Sequence, residues 1–150
     1  YQLADTLLTG SVNYNSTVID TGVDEVSAYL NAENQYDLEN AIPKWRTVLS
    51  AKHNFDALSV LLRGNFYGSY DNAIDSDATV IQTYDPSVLF DLELSYTISD
   101  SLSISGGARN ILDTYPDEDE GDDCCGSVYW AGNIVDWQGG YYYARLNYTF

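Results

Sequence analysis

The feature that most constrains this chain is an alternation of apolar and polar residues with a period of two. From Phe90 to Ser99, apolar side chains occupy every second position, and acidic or hydroxyl side chains lie between them. Such alternation is typical of a β-strand with one apolar and one polar face. It recurs between turn-forming residues and predicts six strands: Thr6 to Thr17, Arg46 to Phe55, Leu58 to Tyr70, Val88 to Ser99, Leu102 to Leu112, and Tyr141 to Phe150.

The lengths of these segments and of their connections indicate a membrane protein. A strand that crosses a membrane needs about 9 to 11 residues, whereas the usual globular strand has about 5 or 6. The connections at 55–57 and 99–101 are tight turns, but those at 18–45, 71–87 and 113–140 are long. Short turns at one end and long loops at the other are typical of outer-membrane barrels. The sequence therefore predicts an all-β fold, an antiparallel transmembrane β-barrel.

Charged side chains inside the predicted strands all fall opposite the apolar positions. An arginine or lysine facing lipid at the bilayer midplane would cost about 2 to 4 kcal/mol, so a lipid-facing wall explains this sorting. A soluble sheet with one face toward water would show the same alternation, and a secreted β-sandwich remains an alternative. We expect these side chains to face the lumen or a plug: Arg46, Lys52, Arg63, Asp91, Glu93, Arg109 and Arg145.

Composition and strand count indicate which partners are excluded and whether these strands can form a complete barrel. A formal net charge of -17 argues against nucleic acid as a partner. No apolar run approaches the roughly 20 residues of a membrane-spanning helix. Because methionine is absent, we expect Tyr1 to be a cut end. Six strands cannot close a membrane barrel, since the smallest have about eight, so we expect further strands upstream or on partner copies.

Three stretches of the sequence resemble TonB-dependent receptors, in the order that this family shows. The segment from Asp37 to Arg46 resembles the re-entry segment before a late strand, although Trp45 stands where histidine is frequent. The run from Ala108 to Pro116, with its Asn-Ile-Leu-Asp-Thr-Tyr-Pro core, is similar to the penultimate-strand signature, with Leu112 in place of the usual phenylalanine. Residues 139–150 are similar to the final strand.

The resemblance implies a fold, a location and a function. Residues 1–150 would be the last six strands of a 22-stranded barrel in the outer membrane of a Gram-negative bacterium, with the plug domain and earlier strands absent. The parent protein would import a scarce nutrient with energy from TonB: a ferric siderophore, another metal chelate, cobalamin or a glycan. Tyr148 and Phe150 would belong to the signal read by the barrel-assembly machinery, and lipids and lipopolysaccharide would surround the wall. An outer-membrane porin is a further alternative.

Aromatic and basic side chains are the candidates for ligand binding. Tyr129, Trp130 and Trp137, in the last long loop, could stack on a sugar or a flat chelate, or could pack within the loop. The basic lumen-facing residues could line an anionic substrate path, or pair with the plug or with Asp91 and Glu93. No enzyme is expected, because the only histidine, His53, falls on the apolar parity and no nucleophile and base are evident.

The acidic run at 117–123 is a candidate calcium site. Clustered carboxylates suit Ca²⁺, which could bridge lipopolysaccharide, but the spacing does not match an EF-hand loop. A solvated acidic loop is the alternative, and apart from this ion no cofactor is expected. The candidate ligands are Asp117, Asp119, Asp122 and Asp123.

The adjacent cysteines Cys124 and Cys125 are disulfide candidates. Neighbouring Cα atoms lie about 3.8 Å apart, below the usual disulfide range of about 4.4 to 6.8 Å, so a bond between them would be strained. An oxidising cell exterior makes such a bond, or one to an upstream cysteine, plausible. Free thiols are the alternative.

Overall fold

The computed structural model describes residues 2–3, 5–20, 30–121 and 126–150. Within these ranges the chain forms a large antiparallel sheet, a small hairpin and one short helix. The elements are β1 (Gln2–Leu3), β2 (Thr6–Tyr14), α1 (Ala32–Asn40), β3 (Trp45–Phe55), β4 (Leu58–Tyr67), β5 (Tyr70–Ala73), β6 (Ile81–Tyr84), β7 (Ser87–Ser99), β8 (Leu102–Arg109) and β9 (Tyr141–Tyr148).

The large sheet has the strand order β1-β2-β3-β4-β7-β8-β9, and every neighbouring pair is antiparallel. All six strands predicted from the alternation are present, so the prediction of an antiparallel all-β fold is confirmed. Strands that follow one another along the chain are neighbours in this sheet. A short turn or a long connection brings the chain back beside the strand that it has just left. The chain thus builds one continuous wall.

Four of the predicted strands extend too far at their C-terminal ends. β2 stops at Tyr14 because its partner β3 begins at Trp45, leaving only the Asn15 N–H to donate to Lys44 O. In the same way β9 stops at Tyr148, since β8 begins at Leu102. β4 ends at Tyr67 rather than Tyr70, and β8 ends at Arg109 rather than Leu112. β8 ends where Asn110 adopts a left-handed conformation with φ of 48°, which breaks the extended backbone.

The strand register places apolar side chains in rows that cross the whole sheet on one face. Directly opposite residues in antiparallel strands point to the same side. The rows lie open in this structure: Leu49, Leu94 and Leu146 are 50, 45 and 66% exposed. One row across the six long strands is Leu8, Ala51, Leu62, Leu92, Ala108 and Tyr142.

The opposite face of the sheet carries the charged side chains. Lys52 pairs with Leu7 and Leu61, Arg63 pairs with Asp91, and Arg145 lies opposite Ser105. All seven charged strand residues named above lie on this polar face by the same register. β3 is the least regular strand, with Val48 on the polar face and His53 on the apolar face, hydrogen-bonded at 2.6 Å to the Thr6 hydroxyl.

A small core lies at one end of the sheet, where the three long connections meet. Its most buried side chains are Tyr84, Ala73, Val135 and Tyr70, none of them more than 4% exposed. α1 and the β5–β6 hairpin, both part of this region, were predicted as loops, and that prediction was wrong. The helix sequence has no apolar stripe, and four-residue strands are too short for the alternation to show. Among the described residues, no helix has the length and apolar character needed to cross a membrane.

Candidate functional site

The long connections pack into one unit, which we call the loop cap: α1, the β5–β6 hairpin and the described parts of residues 110–140. Its centre is an aromatic stack in which the rings of Tyr70 and Tyr84 lie 4.8 Å apart and 8° from parallel. Trp130 covers Tyr84 at 5.8 Å. The Tyr70 hydroxyl donates to Asn133 Oδ1, whereas the buried Tyr84 hydroxyl lies near the Asp119 carboxylate and makes no well-formed hydrogen bond with the described residues. Three chain segments are thereby joined through aromatic surface.

Burial changes the acid–base properties of the stack. Desolvation raises the pKa of Tyr70 to about 12, although a hydrogen bond with the backbone of Ile134 opposes the shift. The pKa of Tyr84 is also raised, first by desolvation and then by the negative charge of Asp119. Both side chains are therefore neutral phenols well above neutral pH, as the apolar stack requires.

The helix is fastened to the hairpin by one carboxylate. Asp37 Oδ1 accepts a hydrogen bond of 2.8 Å from Ala73 N–H. With its amide oriented to donate, the buried Asn72 side chain lies 3.0 and 3.1 Å from the two Asp37 oxygens. Desolvation raises the pKa of Asp37, and the Ala73 hydrogen bond partly offsets this. The N-cap Asn31 accepts a bond from Asn34 N–H and starts the helix. A polar helix without an apolar face is thus held in place by the hairpin.

The base of the cap is closed by a group of residues that we call the clasp: Asn110, Asp113, Gly139 and Gly140. The Asn110 side chain spans a tight turn, donating to Thr114 O at 2.7 Å and accepting from Thr114 N–H at 3.0 Å. Asp113 Oδ1 accepts from Gly140 N–H at 2.7 Å. Gly139 has a φ of 73°, and a Cβ there would lie 2.4 Å from that same oxygen. The clasp thus joins the start of the last long loop to its end.

An aromatic cavity of about 500 Å³ lies in the loop cap. Tyr129, Trp130 and Trp137 all line it, so the structure brings the three predicted binding residues together. Trp130 also packs on the aromatic stack, and Tyr129 faces Tyr115 at 6.5 Å, whereas Trp137 is 66% exposed. Packing within the loop therefore accounts for Trp130, while Trp137 offers a free ring face. Ligand binding by these residues stays a prediction.

A second cavity, of about 440 Å³, lies between the polar face of the sheet and residues 134–139 of the cap. We call it the arginine cavity, because Arg46, Arg63 and Arg109 line it. The guanidinium carbon of Arg46 lies 4.8 Å from the Tyr67 ring centroid, and Arg46 Nη2 donates to Asn65 Oδ1 at 3.3 Å. It adjoins the aromatic cavity, since residues 134, 136 and 138 line both. Sequence reasoning found the arginines but not this convergence.

The acidic residues of the polar face are satisfied by neutral donors. Asp91 accepts from Asn65 Nδ2 at 3.3 Å and from Asn110 N–H at 3.0 Å. Glu93 accepts from the Tyr143 hydroxyl. Asn65 and Asn110 were missed by sequence reasoning as partners of Asp91, because hydrogen bonds across neighbouring strands leave no periodic signal.

The lower part of the polar face holds the remaining charged residues. Arg145 lies over the Tyr143 ring, with its guanidinium carbon 5.9 Å from the centroid. Together with Glu93, these side chains line a smaller cavity of about 250 Å³ below the arginine cavity. Lys52 lines neither cavity. Whether the face meets a lumen or a plug stays a prediction.

The acidic run is bound to the hairpin through backbone contacts. Asp117 Oδ2 accepts from Asp85 N–H at 2.7 Å, and Asp119 Oδ1 accepts from Gly121 N–H at 3.0 Å. The buried Gln82 side chain donates to Glu118 O and accepts from Glu120 N–H. In the part of the chain that the structure describes, no three acidic, histidine or cysteine side chains are grouped to hold a metal ion. Asp122, Asp123, Cys124 and Cys125 lie outside the described residues, so the calcium site and the disulfide stay predictions.

The C-terminal aromatic residues lie together on the apolar face. Tyr148 and Phe150 are both exposed, with ring centroids 5.0 Å apart and planes at 89°. Thr149, between them, donates its N–H to Ser101 O and ties the last residues to the turn before β8. The backbone at Thr149 is thus joined to the sheet, while the Phe150 side chain is fully exposed. Its role as an assembly signal stays a prediction.

Comparison with protein-family models, curated proteins and solved structures gives no match for this chain. The resemblance to TonB-dependent receptors therefore rests on the residues of the three motifs. The geometry gives two of those motifs a physical role. Asn110 and Asp113, from the penultimate-strand motif, form half of the clasp, and Gly139 and Gly140, from the final-strand motif, form the other half.

Proposed function

We propose that this chain forms the last six strands of a 22-stranded outer-membrane β-barrel, a TonB-energised receptor that imports a scarce nutrient. The observation that carries the proposal is the apolar face, which continues in register across six long strands. The cargo would be a ferric siderophore, another metal chelate, cobalamin or a glycan. The lipids and lipopolysaccharide of a Gram-negative outer membrane would contact this face, and TonB would act through a plug encoded upstream.

Strand length supports a membrane wall in four of the six strands, since β2, β3, β4 and β7 have 9 to 13 residues, whereas β8 and β9 have 8. A strand rises about 3.3 Å per residue, so the 11 residues of β3 extend about 36 Å. At a tilt of about 45° they cover about 26 Å along the membrane normal, which matches the apolar band of about 25 Å in outer-membrane barrels. A soluble β-sandwich, the alternative, would need a second sheet against the apolar face, and no described element lies there.

The edges of the sheet support completion by further strands. β9 forms one edge, and on its outer side the described part of the chain supplies no partner strand. Open edges are not tolerated in hydrocarbon, because unpaired N–H and C=O groups cannot bond to water there. We infer that strands earlier in the same polypeptide pair with both edges and close the barrel.

The loop cap favours a receptor over a porin. All three long connections meet at the end of the sheet opposite the Asp56 and Asp100 turns, and they have a core of their own. Two adjoining cavities lie at and below the cap. A folded surface with cavities suits capture of a ligand, whereas passive diffusion needs an open channel. We place this end outside the cell.

Fractionation and uptake test the proposal. The full-length protein, expressed in a Gram-negative host, is expected in the outer membrane, to need detergent for extraction, and to migrate differently in gels with and without heating. Growth on the imported nutrient is expected to fail in a strain without TonB. A protein that is monodisperse without detergent would contradict the membrane assignment, and uptake that persists without TonB would favour the porin.

A further inference from the structure

The chain concentrates its few basic groups on one surface. It has only 6 lysines and arginines against 23 acidic residues. All but Lys44, which precedes β3, lie on the polar face of the sheet. Arg46, Arg63 and Arg109 all line the arginine cavity. In a protein of net charge -17, which repels anions at long range, these three arginines give the cavity a local charge opposite to that of the rest of the molecule.

Two of the three guanidinium groups, those of Arg46 and Arg109, lie over aromatic rings. Arg46 lies over Tyr67, and the guanidinium carbon of Arg109 lies 6.0 Å from the Tyr141 centroid. A cation–π contact uses the flat face of the guanidinium, while its five N–H donors point outward in the plane. Of these donors, Arg46 uses one for Asn65. The arrangement therefore offers oriented donors to a ligand.

The acidic neighbours do not neutralise these arginines directly. Asp91 is the cross-strand neighbour of Arg63, yet its oxygens bond to Asn65 and to the Asn110 backbone. Asp136, the other carboxylate that lines the cavity, accepts from Gln138 N–H at 2.9 Å. Three arginines against two carboxylates leave the cavity positive. Both carboxylates accept hydrogen bonds from neutral donors, and an anion that binds the arginines need not displace those bonds.

We propose that the arginine cavity binds a small anion with two or more carboxylate or phosphate groups. This inference rests on the proposed function and narrows its cargo to anionic ligands. Arginine recognises both groups through paired N–H donors. The volume of about 440 Å³ falls within the range of about 300 to 1,000 Å³ of small-molecule sites. An uncharged part of the same ligand would extend into the aromatic cavity.

Calorimetric titration of the full-length protein, purified in detergent at low ionic strength, tests the site. The probes are citrate, pyrophosphate and the neutral disaccharide sucrose. We expect citrate or pyrophosphate to bind and sucrose not to bind, and the tighter anion distinguishes a carboxylate site from a phosphate site. Arg63→Gln and Arg109→Gln are expected to weaken the anion about tenfold or more, since each removes a charged paired donor. Lys52→Gln, the same charge change on the same face outside the cavity, is expected to change affinity less than about twofold.

The outcomes separate this site from the membrane assignment. A heat-modifiable outer-membrane protein that binds neither anion overturns the arginine site and leaves the barrel proposal standing. Equal weakening by Lys52→Gln also overturns the site, because it shows diffuse attraction rather than a local one. Anion binding by a protein that needs no detergent, lost in the arginine variants, supports the site and contradicts the membrane proposal.

Discussion

Asp113 Oδ1 accepts a hydrogen bond of 2.7 Å from Gly140 N–H, across 27 residues of sequence. Both ends of the last long loop are thereby fixed beside β8 and β9, in spite of the many residues between them. The same end of the loop is bound to the sheet, since Ile111 N–H donates to Phe90 O at 2.8 Å. The position of the arginine cavity under the loop depends on this clasp.

Gly139 and Gly126 have the same backbone conformation, but we expect their substitution by alanine to destabilise the protein to different extents. Gly139 and Gly126 have φ of 73° and 74°, but a Cβ at Gly139 would meet Asp113 and Tyr115, whereas at Gly126 none of the described residues lies within 4 Å. Gly139→Ala is expected to loosen the clasp and speed proteolysis of the loop. Gly126→Ala carries only the backbone penalty of about 1 kcal/mol. Equal cleavage of both variants in limited proteolysis would contradict the close packing at Gly139.

Neighbouring residues in β9 test which face meets lipid. Arg145 lies on the polar face and Leu146 on the apolar face. Leu146→Arg is expected to destabilise the barrel by about 2 to 4 kcal/mol, because it places a charge in the bilayer. Arg145→Leu is expected to be better tolerated. Heat-modifiability gels measure the folded fraction, and equal losses in the two variants would argue against a lipid-facing apolar side.

Two substitutions of Tyr84 distinguish how much its ring packing and how much its hydroxyl group contribute to the stability of the loop cap. Its hydroxyl is buried near Asp119 without a well-formed hydrogen bond among the described residues, so Tyr84→Phe is expected to be neutral or stabilising by up to about 1 kcal/mol. Tyr84→Ala leaves a cavity in the aromatic stack and is expected to cost about 3 to 5 kcal/mol. The protease resistance of the loop cap reports both effects. A large loss in Tyr84→Phe would reveal a hydrogen bond that the structure does not show.

Alkaline pH is expected to weaken the loop cap. Tyr70 has a pKa of about 12 in the fold against an ordinary value of 10.0, so between these pH values the folded chain retains a proton that the unfolded chain releases. The contribution of Tyr70 to stability is therefore fully present below about pH 10 and is lost as the pH rises toward 12. Tyr70→Phe should reduce this dependence, as followed by protease sensitivity against pH. A slope that is unchanged in Tyr70→Phe would assign it to other groups.

Epitope insertion tests the proposed orientation. An epitope at Gly121, in the loop cap, is expected to bind antibody on intact cells. The matched insertion at Asp100, in the turn at the other end of the sheet, is expected to react only after the outer membrane is permeabilised. The opposite pattern would show that the loop cap faces the periplasm.

The alternation predicts the large sheet because the residues of each strand show by themselves which face is apolar and which is polar. Val48 and His53, which depart from the pattern, were placed correctly because their neighbours set the parity. α1 escaped prediction because its fastening residue, Asp37, acts through Ala73, 36 residues away. Asn110 was visible only as part of a motif, and its hydrogen bonds to Thr114 and Asp91 required the fold. The two-residue alternation thus predicts the sheet, whereas the contacts between distant loops leave no pattern in the sequence from which to predict them.

The number of residues between two contacting segments predicts the order in which parts of this structure form during folding. β3 and β4 are joined by a two-residue turn, whereas the Tyr70–Asn133 contact spans 63 residues, and closing a longer loop costs more chain entropy. We expect the hairpins of the wall to form first and the contacts around Trp130 to form last. In stopped-flow refolding, the part of the fluorescence change that is lost in Trp130→Phe should then lag behind the far-ultraviolet signal of the strands, since Trp45 and Trp137 also fluoresce. A newly inserted wall would pass through a stage in which its outer end is still open.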